Sequence, residues 1–203
     1  MGRGGSPLVH SAVPDPGIRE PLIGTDPIQG NFAEVDDILE SFKGALGDDR
    51  PRYRNHVYRD LSYFAALQHG GGAIPRAVQI AAAFHDIGIW TAATFDYLGP
   101  SVQQATIYLQ QCNLAHLGPE VTALIEQHHK LSRYCGCFAS VEVYRRADTV
   151  DVTLGLRRFG LSRSLVRDVQ QMYPTLGFHR MLAQLTARQW LRTPWRPLPM
   201  VRL

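Results

Sequence analysis

From Asn31 onward, apolar residues recur along the chain at intervals of three and four, and strand-type alternation of Val, Ile and Thr is absent. Read with the breakers between them, these stripes predict helices over about 32–46, 50–69, 75–85, 100–112, 118–131, 138–154, 162–173 and 179–191. Several starts carry the signals that helix ends require. Asp49 precedes Pro51, Pro75 opens the third segment, and Gly118-Pro119-Glu120 places proline and an acid in the first turn of the fifth. The predicted fold class is all-α, seven or eight helices around one core. Residues 1–30 hold 6 of the 18 glycines and 5 of the 13 prolines and read as a flexible leader; 31–191 form the helical domain, and 192–203 a proline-rich tail.

Ionisable residues that fall on the apolar stripes matter most, because burial there is costly without compensation. In the second helix His56 shares a stripe with Tyr53, Val57, Leu61 and Phe64, with Asp60 one turn on. In the third, Val78, Ala81, Ala82 and His85 share a face, and Phe84-His85-Asp86-Ile87-Gly88 ends the pattern. Neighbouring helical residues diverge by about 100°, so His85 and Asp86 reach one point only where the helix stops, and Gly88 is expected to supply the stop. Val121, Leu124 and Ile125 lead to His128, flanked by His129; Val141, Tyr144, Asp148 and Asp151 line up in the sixth helix. A lone inward histidine is usually a satisfied core residue. Histidines and carboxylates on four inner faces are a different case, since a central cation neutralises the carboxylates and occupies the imidazole lone pairs.

Composition adds limits. The 203 residues, 45% hydrophobic and 19% charged, suit one globular domain and exclude wholesale disorder. No run approaches the roughly 18 apolar residues of a membrane span. A net charge of +3 is too mild to indicate a nucleic-acid polymer as partner. Arginines do gather in the C-terminal third (Arg145, Arg146, Arg157, Arg158, Arg163, Arg167), which suits either an anionic substrate or a solvated helix face. Three cysteines give no disulfide framework, so a reducing compartment is expected. The start of the chain lacks a secretory pattern, and a cytoplasmic location is the expectation.

The ordered set His56, His85-Asp86, Asp148 resembles the H…HD…D signature of the HD-domain superfamily of metal-dependent phosphohydrolases, over roughly residues 50–185. The resemblance implies an HD-type helical core in which His56, His85, Asp86 and Asp148 hold a divalent ion. Two imidazoles and two carboxylates suit Mn, Fe, Co, Ni or Zn better than Mg or Ca. It further implies hydrolysis of a phosphate ester by a metal-activated water. The expected partner is a small phosphorylated metabolite, nucleotides included; homodimerisation stays open.

Beyond that set the readings divide. Glu126-Gln127-His128-His129-Lys130 resembles the paired-histidine helix of the binuclear branch, but Leu131-Ser132-Arg133-Tyr134 follows where that branch's cyclic-dinucleotide phosphodiesterases carry Gly-Tyr-Pro. His128 and His129 are candidates for catalysis, substrate contact or a second ion, and His129 with Lys130 equally fits a solvated helix end. His116 is either a further ligand or a surface residue, and Asp96 and Tyr97 are candidates for the pocket rim. Arg145, one turn before Asp148, either clamps a phosphate or pairs with Asp151. His128, His129, Cys135 and Cys137 form a competing zinc constellation, with an unusual Cys-x-Cys gap. The same fold also serves di-iron oxygenases, and a nucleotide-binding module without turnover is a third reading.

Overall fold

Helix α3 (Arg50–Leu67) is the axis of the fold, and its sequence accounts for that position. Pro51 stands in its first turn, and Tyr53, His56, Val57, Asp60, Leu61 and Phe64 are all buried along one stripe. The structure is a computed structural model that describes Met1 and residues 31–68, 72–195 and 198–201. The leader predicted over 1–30 therefore lies, Met1 apart, outside the described residues.

Ahead of α3 come α1 (Ala33–Ser41), α2 (Lys43–Leu46) and a 3-10 turn at Gly47–Asp49; after it come α4 (Arg76–Phe84), α5 (Gly88–Thr91), α6 (Leu98–Gln111) and a second 3-10 turn at Ala115–Leu117. Then follow α7 (Gly118–Gln127), α8 (Ala139–Val152), α9 (Arg163–Met172) and α10 (Phe178–Arg192). Eight of these helices are nine residues or longer, and no strand occurs among the described residues, so the fold is all-α as the periodicity predicts.

The most extensive contact is α3 against α8; α4 lies on α7 and α1, and α6 on α7. Between them runs one apolar core, from Val35, Ile38 and Leu39 through Val57, Leu61, Ile80 and Phe84 to Leu124, Val150 and Phe178. A smaller cluster joins Ile89, Phe95, Tyr97 and Leu98 to Met200, so the tail contributes a buried side chain.

Three local details differ from the periodicity. The first segment is divided at Phe42, and a one-turn helix, α5, stands where no element was predicted. α7 ends at Gln127, so His128 and His129 sit in the turn beyond it: the His128 ring donates to the carbonyl of Ile125 at 2.7 Å, and the Lys130 amide to that of Gln127 at 2.9 Å. Gly88 is not the stop of α4. The chain leaves the helix at His85–Ile87, and Gly88 opens α5 with ordinary negative φ. Its lack of a side chain serves packing, because a Cβ there would collide with the carbonyl oxygen of Tyr97 and crowd Pro100 and Ser101.

Candidate metal centre

Four stretches of chain deliver ionisable side chains to one buried place. α3 carries His56 and Asp60 one turn apart, the end of α4 carries His85 and Asp86, the turn after α7 carries His128 and His129, and α8 carries Asp148 and Asp151. His56, Asp60, His85 and Asp151 are 0% exposed, and Asp86, His128 and Asp148 at most 2%. Three overlapping sets, His56–Asp60–His85–Asp148, His85–Asp86–His128 and His128–His129–Asp148, each bring one ligand-type atom per residue within 4.8 Å of the others.

The ring contacts fix which nitrogens face inward. His56 Nδ1 lies 2.7 Å from Asp151 Oδ2, and His85 Nδ1 lies 2.7 Å from the carbonyl of Ala82; each must donate its hydrogen there. The lone pairs of neutral rings then fall on the two Nε2 atoms, which face each other at 2.9 Å. Asp60 Oδ2 lies 3.4 Å from His56 Nε2 and 3.8 Å from His85 Nε2, while Asp86 Oδ2 lies 3.7 and 3.5 Å from them. Asp148 Oδ1 is 3.9 Å from His56 Nε2. Two lone pairs opposed at hydrogen-bond distance among carboxylates form a place that could hold a metal cation. The orphan atoms agree: both oxygens of Asp60, Asp86 Oδ1, Asp148 Oδ1 and His128 Nε2 are buried without a hydrogen-bond partner. The donor set of imidazole nitrogen and carboxylate oxygen fits a divalent transition ion.

Electrostatics inside the cluster follow from the same crowding. Burial, reinforced by Asp148, Asp151 and Asp86, pushes Asp60 well above its usual value, toward the protonated form. Burial lowers His85 to about 4, leaving it neutral and able to ligate. Against the upward push of burial, His85 and His128 hold Asp86 below its usual value, and His129 does the same for Asp148. His128 is raised because Asp86 and Asp148 outweigh its desolvation.

Behind the cluster, Asp151 orients rather than faces it. Arg59 grips Asp151 with two hydrogen bonds of 2.6 and 2.8 Å and donates onward to the carbonyl of Tyr173 at 2.9 Å. The carboxylate is thereby fixed against His56 Nδ1, an arrangement that sets ring orientation and basicity in metal sites. Tyr53 plays a similar part at the doublet, donating to the carbonyl of Ala83 at 3.0 Å and accepting from the Asp86 amide at 3.2 Å.

The structure thus brings His56, His85, Asp86, Asp148, His128 and His129 together. His129 Nδ1 is 3.2 Å from Asp148 Oδ2, and its Nε2 is 2.8 Å from the hydroxyl of Tyr97, a buried residue. Asp60 belongs to the cluster too; its one signal in the sequence is its place four residues after His56 on the same stripe. Arg145 is held by Glu142 at 2.8 and 2.9 Å, not by Asp151. His116 and Asp96 are exposed, and Cys135 and Cys137 are free and exposed, grouped with no histidine among the described residues.

A cavity of about 200 Å³ touches the cluster at His129 and Asp148. Lys130, Arg145, Thr153, Arg157 and Val201 also wall it, so its charge is predominantly positive. No helix among the described residues is long and apolar enough to cross a membrane. No protein-family model matches the chain, and it has no significant similarity to any curated protein or solved structure.

Proposed function

We propose that the chain is an HD-type metal-dependent phosphohydrolase acting on a small phosphate ester. The observation that carries the reading is the buried cluster of unshared ligand atoms, bordered at His129 and Asp148 by a cavity with cationic walls. The H…HD…D order of the ligand-type residues supports the HD assignment. His56, His85, Asp86 and Asp148 would hold the ion, with Asp60 completing the set. A divalent ion there supplies a Lewis acid and lowers the pKa of a bound water.

The protein's own groups supply the rest. Asp151 and Ala82 hold the two imidazoles in the tautomer that turns Nε2 inward. Lys130 and Arg157 draw an anion into the cavity. His129, with 18% of its side chain exposed, stands between Asp148 and Tyr97 at the cavity edge, the position from which an imidazole serves a leaving oxygen. Tyr97 stays protonated, since burial raises its hydroxyl well above the usual value.

The test is metal analysis of protein purified without added metal, followed by phosphate release across a panel of phosphate esters, nucleotides included. His85→Ala and Asp86→Ala should abolish turnover; activity indifferent to both overturns the assignment. A second reading has its own observation. His128 Nε2 is buried without a hydrogen-bond partner and His128 belongs to two of the three ligand sets, an arrangement that suits two ions, as a di-iron oxygenase requires. Two irons per chain, a mixed-valent EPR signal and oxygen consumption would decide for it.

A further inference from the structure

Outside the cluster, a second cavity of about 340 Å³ lies where the loop after α8 meets α9. Arg158, Arg163 and Arg167 wall it, over Leu154, Leu156 and Val166. No carboxylate lines it, and among the described residues Arg158 and Arg163 make no ion pair; Arg167 meets only its exposed neighbour Asp168, at 3.5 Å. Arg163 and Arg167 are one turn apart on α9, a like-charge pairing that destabilises a helix unless an anion intervenes.

The backbone holds this hollow in shape. Leu154 and Phe159 adopt left-handed φ of 52° and 47°, each followed by a left-handed glycine, Gly155 and Gly160. A Cβ on Gly155 would collide with Val166, so the loop sits flush on α9 and brings Arg158 beside Arg163. Left-handed conformations at non-glycine residues cost free energy and concentrate at functional sites. Leu156 is 87% exposed and Leu154 54%, although both border the cavity. Adjacent residues of the loop divide between the two cavities, Arg157 at the cluster and Arg158 here.

We propose that the cavity walled by Arg158, Arg163 and Arg167 is a binding site, separate from the metal centre, for a phosphate monoester carrying an apolar or aromatic body. Guanidinium groups recognise the phosphate through charge-assisted, bidentate hydrogen bonds, and the leucines cover the body. The volume lies at the lower end of small-molecule pockets, which suits a mononucleotide-sized ligand.

The test is binding of a fluorescent AMP derivative to the full chain, followed by anisotropy and by displacement with AMP, adenosine and inorganic phosphate. The expected result is saturable binding displaced by AMP far better than by adenosine. The Arg163→Gln/Arg167→Gln pair should weaken it about tenfold or more, and Leu156→Asp should weaken it independently. Arg188→Ala, at an exposed arginine of α10 outside both cavities, should leave it unchanged. Absence of saturable binding, equal displacement by adenosine, or loss with Arg157→Ala but not with the arginine pair overturns the proposal. Binding that persists in protein without phosphatase activity would retire the proposed reaction and leave this site standing.

Discussion

Asp60 is the residue on which the cluster's energetics turn. Its carboxylate is buried among Asp86, Asp148 and Asp151, both oxygens lack a hydrogen bond, and burial pushes it toward the protonated form. Asp60→Asn is neutral without having to take up a proton and offers an amide hydrogen to the neighbouring carboxylates. Chelator-treated Asp60→Asn should be more stable than chelator-treated wild type by about 1 kcal/mol or more, while its melting temperature rises less on adding Mn or Zn. Arg59 has the opposite character. Arg59→Met leaves Asp151 buried without its cation and should lower urea-unfolding stability by about 3 kcal/mol. His56, His85 and Asp148 stand out in the sequence because charge on an apolar stripe is conspicuous, whereas Asp86 joins them there through the resemblance to the H…HD…D signature. The bond from Arg59 to Asp151 could not, since it joins residues 92 apart on two helices whose pairing no local pattern encodes.

At the scale of elements, helix ends mattered more than helices. The doublet meets the other residues of the cluster because the chain leaves α4 at His85, and the two histidines after α7 face the cluster from a turn. Periodicity places the end of α4 within a residue but extends α7 to about 131, because apolar spacing continues through a turn that side-chain contacts have already bent. Gly88 shows the same limit: a helix stop and a packing glycine look alike in one sequence. Gly88→Ala forces a methyl group onto the Tyr97 carbonyl and should cost about 1–3 kcal/mol, measured by thermal melts. In α8, Glu142 anchors the loop before it. Against the push of burial, Arg145, the Tyr134 amide and Arg146 hold its pKa at about 2, below the ordinary 4.5. That stabilisation is complete above pH 4.5 and disappears as pH falls toward about 2. Glu142→Gln should therefore melt earlier than wild type at neutral pH, with the gap closing across that acid range.

For the whole molecule, the eight long helices were legible from apolar spacing, while the small cluster around Met200 was not, because a proline-broken tail carries no period. The order in which contacts are separated along the chain has a kinetic side. His56 meets His85 across 29 residues but meets Asp151 across 95, so half of the cluster can assemble early and the other half waits for α8 to dock on α3. An ion that requires the completed set has little to hold while the chain is crossing its folding barrier. Added Mn or Zn should therefore slow unfolding in stopped-flow experiments far more than it speeds refolding, making the ion a latch on the finished fold rather than a seed for it.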